Sequence, residues 1–270
     1  MKTLTPMLLA AALAISACGI DGGQQIKLPD DPDAAVLQVR SEGGFAPVEW
    51  ILSRGPTYTL LADGRLIHEG PTIAIYPGPL LPNYLVVEIT DDQMTSVLEL
   101  VQQIGLPEMI DERDDRNTQN VADATTEVVI YWDEAGAHQY SVYALGLVPN
   151  PSSRSTAAFS DLLNLFDRFT SQGEAISYVG DEVQVVAGVG FVDADFRNVA
   201  DWPLDNTDFA DWTEFTNGWM CKTFGTEVLD LFADANQASQ WTHPDPMMDA
   251  PAFTLLVRPL HPGEEPCFGN

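Results

Sequence analysis

The sequence predicts an α+β fold, an antiparallel sheet with packed helices, on three observations. Turn signals at Asp63-Gly64 and at Glu134-Ala135-Gly136 separate β-prone runs at hairpin spacing. Two stretches, 91–104 and 155–170, carry apolar residues at helical spacing. TSVLEL at 95 is echoed by TEVLDL at 226, each beginning a helical stretch with a strand-like run some way after it. The echo raises the option of two similar sheet-and-helix halves.

The chain opens on Met1 and Lys2, followed by MLLAAALAISA from Met7 to Ala17. A charged start and an apolar run have the form of a secretory signal. At eleven residues the run falls short of the about 20 that a membrane span needs. Ile15-Ser16-Ala17-Cys18 matches the bacterial lipobox at all four positions, so Cys18 is expected to carry a diacylglyceryl group. A competing reading cleaves after Ala12-Leu13-Ala14 and leaves a free thiol, a liability in an oxidising compartment. Two acyl chains anchor stably where one does so marginally. The following GIDGGQQIKLPDDPDAA has few apolar residues to bury and reads as a tether.

From Phe45 to Thr90 the text is strand-like and broken by turns. In TYTLLADGRLIHE the Asp-Gly pair tolerates the positive φ of a tight hairpin. Prolines at 71, 77, 79 and 82 confine PTIAIYPGPLLP to an edge or a surface connection, and YLVVEIT resumes as a strand. A helix is expected over Asp91 to Ile104, with Thr90 and Gln93 spaced as a capping box. An acidic loop then leads to a second hairpin, EVVIYWD and HQYSVYAL. Phe159, Leu162, Leu163, Phe166 and Phe169 predict a helix between Ser155 and Thr170 that stops near Gly173. SQGEAIS reads as a hinge. Beyond it come EVQVVAGVGF as a strand, an acidic and aromatic stretch to Gly225, a helix over Thr226 to Ser239 and a last strand, AFTLLVRPL. The expected organisation is a signal peptide at 1–17, a flexible tether at 18–35, an N-terminal α+β half at 36–172 and a C-terminal half at 173–270.

Forty acids against 12 bases leave a net charge of −28. Nucleic acid is excluded as a partner, because phosphate backbones need clustered Lys and Arg. Direct adhesion to anionic lipid is disfavoured by repulsion, so the membrane is a partner through the lipid alone. With Cys18 lipidated, Cys221 and Cys267 are an even remainder in an exported protein and are expected to pair.

EGGFAPVEW, LADGRLIHEG, IAIYPGPLLPN and the terminal VRPLHP with Cys267 resemble uncharacterised secreted lipoproteins of actinobacteria and their neighbours. The resemblance spans most of the mature chain. It implies an envelope location and one folded unit, and it brings no activity and no functional residue.

His68, His138, His243 and His261 are scattered, with no metal-ligand spacing, and no nucleophile elbow, phosphate loop or dinucleotide fingerprint occurs. Asp111, Asp114, Asp115 and Asp123 form an acidic loop that either is solvated or offers oxygens to Ca²⁺; no other cofactor is expected. Residues 193–220 hold three of the six tryptophans, Trp202, Trp212 and Trp219, among Asp201, Asp205, Asp208 and Asp211. These are the candidate binding residues, for a glycan or protein ligand or Ca²⁺; the competing reading has the indoles fill a satellite core under solvated acids. The leading expectation is an extracytoplasmic lipoprotein, held to the cell or outer membrane, with a non-catalytic binding or structural role. The alternative is a tethered hydrolase acting on a wall or extracellular polymer.

Overall fold

A computed structural model describes residues 26–116, 121–147, 151–189, 198–205, 209–215, 218–243 and 252–267. The expected signal peptide, Cys18 and Asp208 lie outside them. The architecture is α+β, built on two sheets. The first comprises β1 (Ala35–Gly43), β2 (Tyr58–Leu61), β3 (Arg65–Glu69), β4 (Tyr84–Glu88), β5 (Glu112–Asp114), β6 (Thr125–Asp133), β7 (Gly136–Tyr143) and β8 (Ile176–Ser177). Its order is β5-β7-β6-β1-β2-β3-β4-β8, antiparallel except for β5 beside β7. The second comprises β9 (Glu182–Val189), β10 (Asn198–Asp201), β11 (Thr213–Glu214), β12 (Met220–Gly225), β13 (Ser239–Thr242) and β14 (Phe253–Pro259), in the order β10-β13-β14-β9-β12-β11.

Both expected hairpins form. Asp133 pairs with Gly136 across a two-residue turn. Leu60 pairs with Leu66 around Gly64, whose φ of 91° suits glycine; a Cβ there would lie 3.0 Å from the carbonyl oxygen of Ile89. Among the described residues three α-helices accompany the sheets: α1 (Val48–Ser53), α2 (Asp91–Ile104) and α3 (Arg154–Gln172). The capping box on α2 is complete, Thr90 Oγ1 accepting from the Gln93 amide at 3.3 Å and Gln93 Oε1 from the Thr90 amide at 2.8 Å. Ser153 caps α3 with one bond, its Oγ accepting from the Thr156 amide.

α2 and α3 lie together on one face of the first sheet. Val97, Val101 and Ile104 of α2 and Phe159, Leu162 and Phe166 of α3 meet Leu37, Val39, Val129 and Tyr131, all buried. Each such side chain withdrawn from water contributes about 1.5–3 kcal/mol. Ile26 and Leu28 pack against this same core, and Lys27 Nζ reaches Glu134 at 2.7 Å, so the second part of the expected tether rests on the body.

The second sheet is accompanied differently from the first, and β8, from the expected C-terminal half, pairs with β4 of the first sheet. The expected helix over Thr226 to Ser239 is a 3₁₀ segment, Thr226–Phe232, followed by β13. The residue before it, Gly225, brings no side chain to cap it, and local bonds stop it: Asn236 Oδ1 accepts from the Ala238 amide and Ser239 Oγ from the Asn236 amide. The segment resembling TSVLEL of α2 therefore builds a different element. The proline-rich stretch at 71–82 connects the sheets, with Pro79 bridged to Asn236 and Leu80 and Leu81 on the second core.

After β14 the chain turns back over the outer face of the first sheet. Gln38 Nε2 donates to Pro262 O at 2.8 Å and Tyr178 Oη to Leu260 O at 2.7 Å. The segment ends at Cys267, disulfide-bonded to Cys221 of β12 with a Cα–Cα distance of 5.4 Å. His261 is buried edge-on to Tyr84 and Tyr178, with Nδ1 2.9 Å from Thr59 Oγ1. Burial chiefly, with Arg258 adding to it and Glu264 opposing, pulls its pKa down to about 4.

A pH dependence follows. Between pH 6.5 and about 4 the unfolded chain takes up a proton that His261 refuses in the fold, so acid destabilises by up to about 3 kcal/mol. His138 acts in the opposite sense. Burial opposes its charge, but the Asp133 carboxylate and the Met109 carbonyl, each 2.9 Å from one ring nitrogen, raise its pKa overall. Its contribution is complete below the unfolded value and is lost as pH rises through the folded one. Urea unfolding at pH 7 and pH 4.5 is expected to show lower stability in acid, and a smaller difference in His261→Asn; an unchanged difference in that variant contradicts the assignment.

Candidate functional site

The outer face of β1, β6, β7 and β5 is the floor of a cleft of about 820 Å³. Strand alternation decides which side chains it receives. Leu37, Val39, Val129 and Tyr131 turn to the inner core, leaving Gln38, Arg40, Glu42, Ile130 and Trp132 on the other side. Register then sets the lateral order: Arg40 pairs with Val128, Val128 with Ser141 and Ser141 with Arg113. Arg40 and Arg113 thus end one cross-strand row, about 14 Å apart over three strand spacings. The next row runs Gln38, Ile130, Gln139.

Two walls rise from this floor. One is α1 and the turn after it, with Trp50 and Arg54, whose guanidinium carbon lies 4.3 Å from the Trp50 ring centroid. The other is the C-terminal segment, with Arg258, Gly263, Glu264 and Glu265. Gly263, at φ 85°, permits close approach: a Cβ there would lie 2.9 Å from the Ala35 Cβ.

Four of the nine arginines of the chain line this one cleft, facing three glutamates, in a protein of net charge −28. Their carboxylate partners hold them in place without consuming their donors. Arg40 Nε lies 2.7 Å from Glu42, Arg54 reaches Glu69 at 2.7 Å and Arg113 reaches Asp115 at 2.6 Å. Each guanidinium has five N–H donors, so several remain on each. Arg258 is buried and forms a two-bonded pair with Glu264, at 2.9 Å on both arms, while its Nε has no partner. Burial works against both charges. Their mutual attraction prevails, raising the Arg258 pKa and lowering that of Glu264. With Glu42, Glu69, Asp115, Glu264 and Glu265 beside the four arginines, the cleft is close to neutral in a chain that is otherwise strongly acidic.

The expected tryptophan site lies elsewhere and is divided. Trp202 and Trp212 share a ring cluster with Phe209, at 5.7 and 5.1 Å between centroids, on one face of the second sheet. Trp219 is on the opposite face, against Leu52 of α1 and under Gly188. Trp212 and Trp219 are buried, Trp202 is half-buried, and Asp201, Asp205 and Asp211 are exposed. Trp212 and Trp219 thus fill satellite cores, while Trp202 keeps part of its ring exposed.

Of the acidic loop, Asp111, Asp115 and Asp123 are exposed, and Asp114 alone of the four is committed to structure. Asp114 is buried and accepts from Arg116, Thr156 and Ser152, fastening β5 to the start of α3; despite the cost of burial these bonds hold its pKa well below the usual carboxylate range. Among the described residues no group of three or more His, Cys, Asp or Glu side chains is arranged to hold a metal ion.

Sequence reasoning missed the cleft. Arg40, Arg54, Arg113 and Arg258 share no motif, and only register and the returning C-terminal segment bring them together. The one available signal was arginine at an outward strand position in a chain short of bases. No protein-family model, curated protein or solved structure matches this chain.

Proposed function

We propose that this chain is a lipid-anchored protein of the cell envelope with a non-catalytic binding role, and that the cleft holds its ligand, an anion. The convergence of four arginines in an otherwise acidic protein carries the binding part of this reading. Such a site discriminates by its donors: an anion is repelled by the acidic surface elsewhere and meets here the unused guanidinium N–H groups of a near-neutral cleft. The complete lipobox at Ile15 to Cys18 supports the anchor. Cys18 and Ile26 are eight residue steps apart, at most about 28 Å of extended chain, which keeps the body close to the bilayer.

A hydrolase draws less support. None of the four histidines lines the cleft. Both ring nitrogens of His138 are bonded, and His261 with its neighbour Thr59 is buried, so neither offers an exposed base beside a nucleophile.

Two measurements test the proposal. Cys18→Ser is expected to move the protein from the membrane to the soluble fraction, with mass spectrometry of the native protein finding an acylated N-terminal cysteine; an unmodified N-terminus at Ile15 contradicts the anchor. Thermal melting of the detergent-solubilised mature chain with acetate, citrate, phosphate, sulfate and galacturonate oligomers is expected to show stabilisation by at least one anion, lost in Arg40→Gln/Arg113→Gln. Indifference to all of them contradicts the binding role.

A further inference from the structure

Resting on the reading of the cleft as an anion site, we infer that its ligand is a carboxylate-bearing saccharide, a short oligomer of uronic acid. The spacing of the arginines is the first reason. The backbones of Arg40 and Arg113 stand about 14 Å apart across four strands, a spacing that suits a ligand longer than one small anion. A ligand that uses both repeats its negative charge along its length, as a chain of uronate rings does. Guanidinium forks meet carboxylates in bidentate fashion, so these arginines suit that group.

What lies between the arginines is the second reason. About half of the lining is polar. Gln139 supplies both donors and acceptors, and Glu42 and Glu265 accept from hydroxyls. Trp50 and Trp132 add indole surface, with apolar bodies for the carbon faces of sugar rings. A long acyl chain would need an apolar lining instead.

An acidic peptide is disfavoured by the backbone. The floor is the face of a sheet, and β1, β6 and β7 already have partners on both sides. Among the described residues the free edge at the floor is that of β5, three residues long, so an extended peptide would gain little of the main-chain pairing that such recognition relies on.

The experiment is isothermal titration of the detergent-solubilised mature chain with trigalacturonate, its fully methyl-esterified form, monomeric galacturonate, citrate, phosphate and a tri-glutamate peptide, with tryptophan emission followed in parallel. Trigalacturonate is expected to bind and to change the emission, with the ester and the monomer at least tenfold weaker. Arg40→Gln and Arg113→Gln are each expected to weaken it tenfold or more with unchanged melting temperature, while Arg168→Gln on α3 has no effect. The inference is overturned if the ester binds as well as the acid, if the trimer is no tighter than the monomer, or if tri-glutamate matches the trisaccharide. Citrate or phosphate binding that depends on Arg40, without uronate binding, overturns the saccharide and leaves the anion site standing. Absence of binding by every anion overturns both.

Discussion

Glu264→Ala is expected to cost about 3–5 kcal/mol of stability, the largest effect of any single substitution considered. The substitution strands the Arg258 guanidinium in a site it occupies only because Glu264 bonds both of its arms. It also removes the acceptor of the His261 amide, 2.8 Å from Glu264 Oε2. The pair itself need not be worth that much, because two desolvated charges repay each other's burial only in part. Arg258→Met/Glu264→Met is therefore expected to recover most of the loss, and equilibrium urea unfolding of the two variants separates the cases. A single variant as stable as the parent, or a double variant no better than the single, contradicts this account of the C-terminal segment.

Removing the disulfide, as Cys221→Ser/Cys267→Ser, is expected to cost about 4 kcal/mol on the chain-entropy view for a sequence separation of 46 residues. The bond ends the same segment that supplies one wall of the cleft, so ligand affinity is expected to fall with stability. Melting with and without reductant measures the first effect: reductant should lower the transition of the parent and leave the variant unchanged. Two titratable thiols in the unreduced, denatured protein would show the pairing to be wrong.

Local chemistry was legible in the sequence wherever one short stretch decides its own conformation. Thr90 and Gln93 form their box, Gly64 turns its hairpin and the phenylalanine spacing builds α3, because each outcome depends on neighbours a few residues away. The C-terminal 3₁₀ segment was misread for the complementary reason. Its apolar residues, Val228 and Phe232, have helical spacing for one turn, and the side chains of Asn236 and Ser239 then bond the backbone themselves. In the tryptophan loop composition alone does not give placement, since Trp212 and Trp219 lie near each other in sequence and on opposite faces of one sheet. The arginine cleft was the least legible feature. Arg40 and Arg113 become neighbours in one row only through the pairings of β1, β6, β7 and β5, and Arg258 arrives from the last strand.

The claim on which the functional account depends is that these arginines receive an anion. Arginine side-chain Nε–H resonances, followed by nitrogen-resolved NMR while trigalacturonate is added to the mature chain, test it most directly. The expected result is saturable shifts at Arg40, Arg54 and Arg113, with Arg65 and Arg168 unmoved. Uniform shifts at all arginines, or none at the cleft at saturating concentration, would contradict the account.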